Sequence, residues 1–252
     1  MNLIDFLDRG AERSPRGDCL VEGGLRLDYP TVVQWTHRIA WALQREGFGP
    51  QAHIGTLTPN NLWGYLAILG LQRARGVWIP LNGRSSVDDN IAHMRRTQCA
   101  WLFYLSEFEP LLERIRAEVP SLKGCVCLDR AGSAFPALQD WAAPADTLPF
   151  PDPDPSRSDD LFRTTVSGGT TGAPKAIMQT QQGVRTNVAT CLAQYRYDGP
   201  PRYLLTRPMT HAAGVNSLHI LALGGSVHLL RRTALGEVLD TLERGRITLT
   251  SL

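Results

Sequence analysis

The residues with the clearest chemical meaning lie in one segment, Ser167-Gly168-Gly169-Thr170-Thr171-Gly172-Ala173-Pro174-Lys175. Glycine tolerates positive φ angles and has no Cβ, so successive backbone N–H groups in such a segment can turn inward around an anion. The three hydroxyls add donors, and the Lys175 ammonium can neutralise charge on the β- and γ-phosphates of a nucleotide. Donors arranged in advance stabilise a leaving pyrophosphate. The segment therefore predicts nucleotidyl transfer.

Two other interpretations of this segment are open. One is a hairpin with a glycine- and threonine-rich tip, because Val166 and Ile177 are strand-forming residues and Gly, Ser, Thr and Pro are common in turns. A lysine placed after Gly-Ala-Pro is more than such a turn requires. The other is a P-loop of the kinase or GTPase type, which ends in Gly-Lys-Ser or Gly-Lys-Thr. The sequence lacks that ending, because Ala173 and Pro174 separate Gly172 from the lysine.

Helical and extended patterns alternate along the chain, and the helices and strands that they predict must position this segment. Apolar residues at helical spacing predict a helix over residues 2–13, and a Gly-Gly pair at the centre of residues 19–29 predicts a hairpin. Thr31 is expected to cap the next helix, which Gly47 ends in the left-handed conformation. Similar signals predict helices that begin near Asn61 and Ser86.

Short apolar runs between these helices predict strands. They cover residues 53–57, 77–81, 100–105, 124–128, 161–166, 176–179, 203–206, 226–230 and 248–252. Strands that alternate with helices favour a mostly parallel sheet covered by helices. The fold class we predict is α/β, with layered, mostly parallel sheets flanked by helices.

The pattern breaks once, at a proline-rich stretch over residues 131–160. We interpret this stretch as a connection between a first α/β subdomain, residues 1–130, and a second, residues 161–252, which contains the glycine-rich segment. The chain ends within a predicted strand, and a parallel strand needs a following element to cover it. We therefore expect the second subdomain to be incomplete.

Composition limits the class of partner. The chain has 252 residues, 43% of them hydrophobic, and a net charge of +2 without a dense Lys/Arg block, so no nucleic-acid surface is predicted. The apolar run 62–71 is much shorter than the roughly 20 residues of a membrane-spanning helix. Residues 1–15 carry acidic groups and do not resemble a secretory signal. No transmembrane segment is predicted.

The five cysteines are scattered, and an odd number argues against a disulfide framework. Cys125 and Cys127 alternate within an apolar run that is typical of a buried strand, which disfavours a metal pair. Reduced thiols are typical of a cytoplasmic protein, so we expect that localisation.

The glycine-rich segment resembles the signature of the adenylate-forming, or AMP-binding, superfamily of acyl-CoA synthetases, aryl-CoA ligases and luciferase-like enzymes. That signature is close to Thr-Ser-Gly-Thr-Thr-Gly-x-Pro-Lys-Gly. Gly168 stands where it has serine, and Ala176 stands where it has the last glycine. The runs 29–31, 54–61 and 76–82 also resemble the N-terminal part of acyl-CoA ligases in order and spacing. The resemblance implies the N-terminal domain of the acyl-CoA synthetase fold.

The resemblance also implies an activity and its site. A carboxylic acid would attack Mg-ATP to give an acyl-adenylate, and CoA would accept the acyl group. Ser167, Gly168, Gly169, Thr170, Thr171, Gly172 and Lys175 would bind the ATP phosphates, with Thr170 at the Mg²⁺ ion. The run Pro208-Met209-Thr210-His211-Ala212-Ala213-Gly214 resembles the next motif of the family. Within and beyond it, His211 is the candidate catalytic residue, and His211, Gly214, Val215 and Asn216 would line the carboxylate side.

A purely structural interpretation of His211 is a residue at a helix N-terminus that forms hydrogen bonds with the neighbouring backbone. The magnesium-associated glutamate, the ribose-binding aspartate and the C-terminal domain of the family are not in these 252 residues. Two interpretations are therefore open: the N-terminal fragment of an AMP-forming acyl-CoA synthetase, inactive by itself, or a natural, shortened nucleotide-binding or pairing module. The resemblance leaves the carboxylic acid, and the existence of a homodimer, undetermined.

Overall fold

The structure is a computed structural model that describes residues 1–130, 134–143, 155–166 and 176–251. Its helices are α1 (Asp5–Arg13), α2 (Tyr29–Arg45), α3 (Leu62–Arg73), α4 (Val87–Arg96), α5 (Leu112–Glu118), α6 (Leu138–Ala142), α7 (Gln181–Gln194), α8 (Ala212–Asn216), α9 (Leu218–Ala222) and α10 (Leu235–Arg244), with a 3₁₀ helix at Ser106–Leu111. In these residues, no helix combines the length and the apolar character needed to cross a bilayer.

The strands form two sheets. They are β1 (Asp18–Glu22), β2 (Leu25–Asp28), β3 (His53–Leu57), β4 (Val77–Leu81), β5 (Trp101–Tyr104), β6 (Gly124–Cys127), β7 (Leu161–Val166), β8 (Ala176–Thr180), β9 (Arg202–Leu205), β10 (Ser226–Leu229) and β11 (Leu249–Thr250). The first sheet has the order β11-β9-β10-β1-β2, and the second has the order β6-β5-β3-β4-β7-β8. The pairs β1–β2 and β7–β8 are antiparallel, and the other pairs are parallel.

Strands β3 to β6 of the second sheet are covered on both faces, which explains why they are mostly apolar. On β5, Trp101 and Phe103 face the larger core, shared with α2 and α3, whereas Leu102 and Tyr104 face a smaller core shared with α4 and α5. This alternation is the period of two that a strand imposes on its side chains. The predicted fold class, with layered, mostly parallel sheets and flanking helices, is confirmed.

Each sheet contains strands from both sides of the proline-rich stretch. The hairpin β1–β2 joins β9, β10 and β11 in the first sheet, and β7–β8 joins β3 to β6 in the second. The division between sheets therefore does not coincide with the predicted connection at residues 131–160. The subdomain boundaries remain a prediction.

The helix ends follow most of the predicted caps. Asn61 accepts a hydrogen bond from the Gly64 N–H and begins α3, and Gly47 adopts a φ of +82° after α2. The predicted Thr31 cap is wrong. The side chain of Asp28 accepts the Thr31 N–H at 2.9 Å, so the helix begins three residues earlier than predicted. Aspartate is as good a cap as threonine, and Pro30 is favourable in the first helical turn.

The five cysteines are free, as predicted. Cys125 and Cys127 lie in β6 with their side chains buried in the smaller core. In the described part of the chain, no group of three His, Cys, Asp or Glu residues is arranged to hold a metal ion.

Candidate active site

The antiparallel hairpin β7–β8 presents the glycine-rich segment. Val166 and Ala176 form the last pair of the two strands, and residues 167–175 connect these two positions. The predicted phosphate-binding residues Ser167, Gly168, Gly169, Thr170, Thr171, Gly172 and Lys175 lie outside the described residues. A hairpin agrees with both interpretations of the segment, because two paired strands can hold the ends of a simple turn or of a phosphate-binding loop.

The predicted carboxylate side lies on a short helix. His211 is the N-cap residue of α8, and its backbone N–H donates to the Pro208 carbonyl at 3.0 Å. Within the described residues no partner binds the exposed imidazole. Asn216 is also exposed, whereas Val215 is buried in the larger core. The structure thus places His211 and Asn216 on the surface and gives Val215 a packing role.

The backbone at position 214 lies so close to the Met209 backbone that only glycine fits there. A Cβ atom at this position would lie 2.0 Å from the Met209 carbonyl oxygen, far inside van der Waals contact. The opposing atom belongs to the backbone, so it cannot rotate away as a side chain would. Gly214 therefore allows α8 to pack against the turn formed by Pro208, Met209, Thr210 and His211, which we call the 208–211 turn.

Asn60 fixes this turn from one side. Its side-chain amide donates to the Leu205 and Arg207 carbonyls at 3.1 and 2.9 Å, and its side-chain oxygen accepts the Met209 N–H at 2.6 Å. All three groups of a buried amide are therefore satisfied by one segment of backbone. The sequence showed Asn60 only as part of a helix start, because nothing local reveals a partner some 145 residues away.

Arg163 of β7 fixes the same turn from the other side. Its Nη1 donates to the Thr210 and His211 carbonyls at 3.2 and 3.1 Å, and its Nε donates to the side-chain oxygen of Gln179 on β8. The guanidinium also lies over the Trp78 ring, 5.6 Å from the centroid. One side chain thus joins both strands of the hairpin to the turn before α8.

Arg163 is 5% exposed and forms no ion pair with a carboxylate of the described residues. Burial lowers the pKa of its guanidinium to about 10, with no carboxylate to offset the effect. The group remains charged at neutral pH. Among the described residues, therefore, no acidic side chain neutralises this buried cation on the hairpin.

A cavity of about 20 Å³ lies beside α8, between α3, β4 and β7. Its lining is mostly apolar and includes Tyr65, Trp78, Phe162, Met209 and Gly214. This volume holds about one water molecule, whereas a ligand pocket typically needs about 300 Å³ or more. The cavity is a packing gap next to the predicted carboxylate side, and it is too small to contain an acyl substrate.

The amino-acid sequence as a whole matches a known protein family. The profile described as AMP-binding enzyme matches residues 7–252. The chain belongs to the AMP-binding enzyme family. The resemblance carried by the glycine-rich segment and its flanking runs is therefore confirmed.

The relatives of this AMP-binding chain include CoA ligases. It is 26% identical to a feruloyl-CoA synthase of an Amycolatopsis species over 247 residues, which cover 96% of the chain and 46% of that enzyme. It is 34% identical to a medium/long-chain-fatty-acid–CoA ligase of Mycobacterium tuberculosis over 94 residues, 37% of the chain and 16% of the ligase. The chain thus spans about half the length of the feruloyl-CoA synthase.

Solved structures share the fold of this AMP-binding chain. An anthranilate CoA ligase in complex with anthranoyl-AMP superposes with a TM-score of 0.89 at 21% identity, over 99% of the chain and 49% of the ligase. The N-terminal domain of FACL13 from Mycobacterium tuberculosis superposes with a TM-score of 0.86 at 20% identity, over 99% of the chain and 62% of that domain. At these identities the likeness establishes the fold alone.

Proposed function

We propose that this chain is the N-terminal, nucleotide-binding part of an AMP-forming acyl-CoA synthetase. The observation that carries the proposal is the match of residues 7–252 to the AMP-binding family, together with the glycine-rich sequence between Val166 and Ala176. The CoA ligases among its relatives support CoA as the acceptor of the acyl group. The structure adds a buried cation, Arg163, at the base of the hairpin.

The proposed reaction has two steps. A carboxylate oxygen attacks the α-phosphorus of ATP, the bond to the β-phosphate oxygen breaks, and pyrophosphate leaves. The CoA thiol then attacks the acyl carbon, the thiol proton is lost to a base, and AMP leaves. Lys175 and the N–H groups of residues 167–172 would stabilise charge on the departing pyrophosphate, with Mg²⁺ bound near Thr170. His211 would contact the carboxylate.

The first experiment tests nucleotide binding by the 252-residue chain. Lys123 and Lys175 are its two lysines, and Lys123 lies in an exposed position on the edge of the second sheet. We expect Mg-ATP to protect Lys175 from an amine-reactive acetylating reagent by about tenfold, because phosphate would cover its ammonium. Lys123 should react equally with and without ATP. Peptide mass spectrometry measures both lysines in one sample, and equal labelling of Lys175 would contradict the proposed loop.

The second experiment tests the reaction. We expect the full product of the gene that contains this sequence to release pyrophosphate from ATP when a suitable carboxylic acid is added, and the 252-residue chain alone not to do so. In the full product, Lys175→Ala should lower the rate about 100-fold through lost charge stabilisation, and Lys123→Ala should leave it unchanged.

A panel of aryl, short-chain and long-chain acids would identify the substrate. ATP protection of Lys175 without carboxylate-dependent pyrophosphate release from the full product would instead favour a non-catalytic nucleotide-binding module.

A further inference from the structure

Arg163 stands where the two halves of the proposed active site meet. The strand that carries it ends three residues later at Val166, directly before the glycine-rich segment. Its partner Gln179 lies on the returning strand, three residues after Ala176. Any change at the Arg163–Gln179 contact is therefore transmitted over a short, stiff length of paired strands to both ends of residues 167–175.

The contacts of Arg163 on the other side are backbone carbonyls. Thr210 and His211 immediately precede α8, and a carbonyl cannot change its position without moving the turn to which it belongs. The guanidinium is planar and presents its donors in a fixed fork, so its contacts with the hairpin fix its contacts with the turn. Trp78 covers one face of the guanidinium and restricts its rotation.

We infer that Arg163 is a positioning residue, which holds the 208–211 turn and His211 in a set geometry relative to the β7–β8 hairpin. The functional part of this inference rests on the proposed function. If the hairpin carries the ATP phosphates and His211 borders the carboxylate, Arg163 sets the separation of the two reacting groups. A displacement of about 1 Å between reacting groups can lower a rate about 100-fold.

The positioning role is tested first on the 252-residue chain, without any assay of activity. In the Arg163→Met variant we expect the backbone amides of Met209 and His211 to exchange with deuterium about tenfold faster, because the turn loses two charge-assisted hydrogen bonds. The matched control is Arg73→Met, which removes a buried arginine from the α1–α2–α3 interface. That control should leave exchange in the 208–211 turn unchanged. Unchanged exchange in Arg163→Met would overturn the positioning role.

The consequence for the reaction is tested on the full gene product. We expect Arg163→Met to lower kcat for pyrophosphate release about 10- to 100-fold while the KM for ATP changes less than about twofold, since the phosphate loop itself remains. Arg163→Lys retains the charge but not the fork, so it should lose nearly as much activity. Guanidinium ion at millimolar concentration should partly restore kcat of Arg163→Ala and should not affect Arg73→Ala.

The outcomes separate the two proposals. If the wild-type product releases no pyrophosphate, the proposed function fails, and the exchange experiment still decides the positioning role. If the wild type is active and the Arg163 variants lose activity only in proportion to their unfolded fraction, or Arg163→Lys is fully active, the functional part of the inference is wrong. Faster exchange of the turn together with the kcat loss and the guanidinium rescue would support it.

Discussion

Arg73 and Arg163 are both buried arginines, but their charges are compensated in different ways. The Arg73 side chain is 2% exposed and forms a bidentate ion pair with Asp8, while its Nε donates to the Thr36 hydroxyl at 2.7 Å. This arrangement joins α1, α2 and α3. Arg163 contacts two backbone carbonyls, a side-chain amide and an aromatic ring.

The difference lies in whether a carboxylate offsets the buried charge. A buried guanidinium that meets a carboxylate has its charge cancelled locally, and its role is to stabilise a helix interface. A buried guanidinium with neutral acceptors keeps its positive field, and it lies in this chain at the base of the hairpin that carries the glycine-rich segment. Two residues of the same type are thus distinguished by their partners, which only the tertiary structure supplies.

The largest expected effect on stability is at the Arg73 pair. Asp8→Ala would leave a buried guanidinium without its anion, and we expect the free energy of unfolding to fall by about 3 kcal/mol. Asp240→Ala is the control, because Asp240 and Arg244 form an exposed pair at 3.9 Å, and it should cost less than about 0.5 kcal/mol. Urea unfolding measures both variants. Equal effects would remove the distinction between the Arg73 pair and an ordinary surface pair.

A second prediction asks whether the 208–211 turn depends on close packing as well as on Arg163. Gly214→Ala should lower the free energy of unfolding by about 2 kcal/mol, because the new methyl group meets the Met209 carbonyl oxygen. Gly236 lies in the exposed helix α10 with no atom within 4 Å of the position its Cβ would take. Gly236→Ala should therefore be neutral or stabilise by up to about 1 kcal/mol. A neutral Gly214→Ala variant would mean that the turn is free to move.

The smallest effect concerns a buried base that, unlike an arginine, can lose its proton. Burial lowers the pKa of His228 to about 4, and the nearby guanidinium groups of Arg26 and Arg202 contribute. In the unfolded chain His228 binds a proton near pH 6.5, whereas in the folded chain it stays neutral down to about pH 4. The free energy of unfolding therefore decreases as the pH falls below about 6.5.

We expect a loss from His228 of about 0.7 kcal/mol between pH 7 and pH 6. Urea unfolding of the wild type and of His228→Asn at pH 8, 7 and 6 measures it, with the pH 8 difference as the reference. The variant should show a weaker pH dependence. An unchanged slope would assign the acid sensitivity to other groups.

Much of the fold was predictable because its signals are local. Helix caps such as Asn61 and the apolar strands of the second sheet are read from neighbours a few residues apart. The Asp28 cap was missed because aspartate and threonine both favour the N-cap position, and the sequence offers both within three residues. The mixing of early and late strands within each sheet has no local signal, since strand order is decided by which edges meet in three dimensions.

The candidate site divides in the same way. The type and spacing of residues in 167–175 predicted the family, because an anion-binding segment needs glycines, hydroxyls and a lysine next to one another in sequence. Arg163 and Asn60 carried no such signal. The two carbonyls that Arg163 binds are 47 and 48 residues away in the sequence. The three backbone groups that Asn60 binds are 145 to 149 residues away.

By itself, therefore, the sequence determined the α/β class and the AMP-binding family, because both depend on short-range patterns of apolar, glycine and hydroxyl residues. The tertiary structure decided that one buried arginine, Arg73, meets a carboxylate, whereas the other, Arg163, meets only neutral acceptors among the described residues. It also decided that Val215 packs into the core while His211 faces solvent. These assignments depend on contacts between distant segments, and such contacts exist only once the chain has folded.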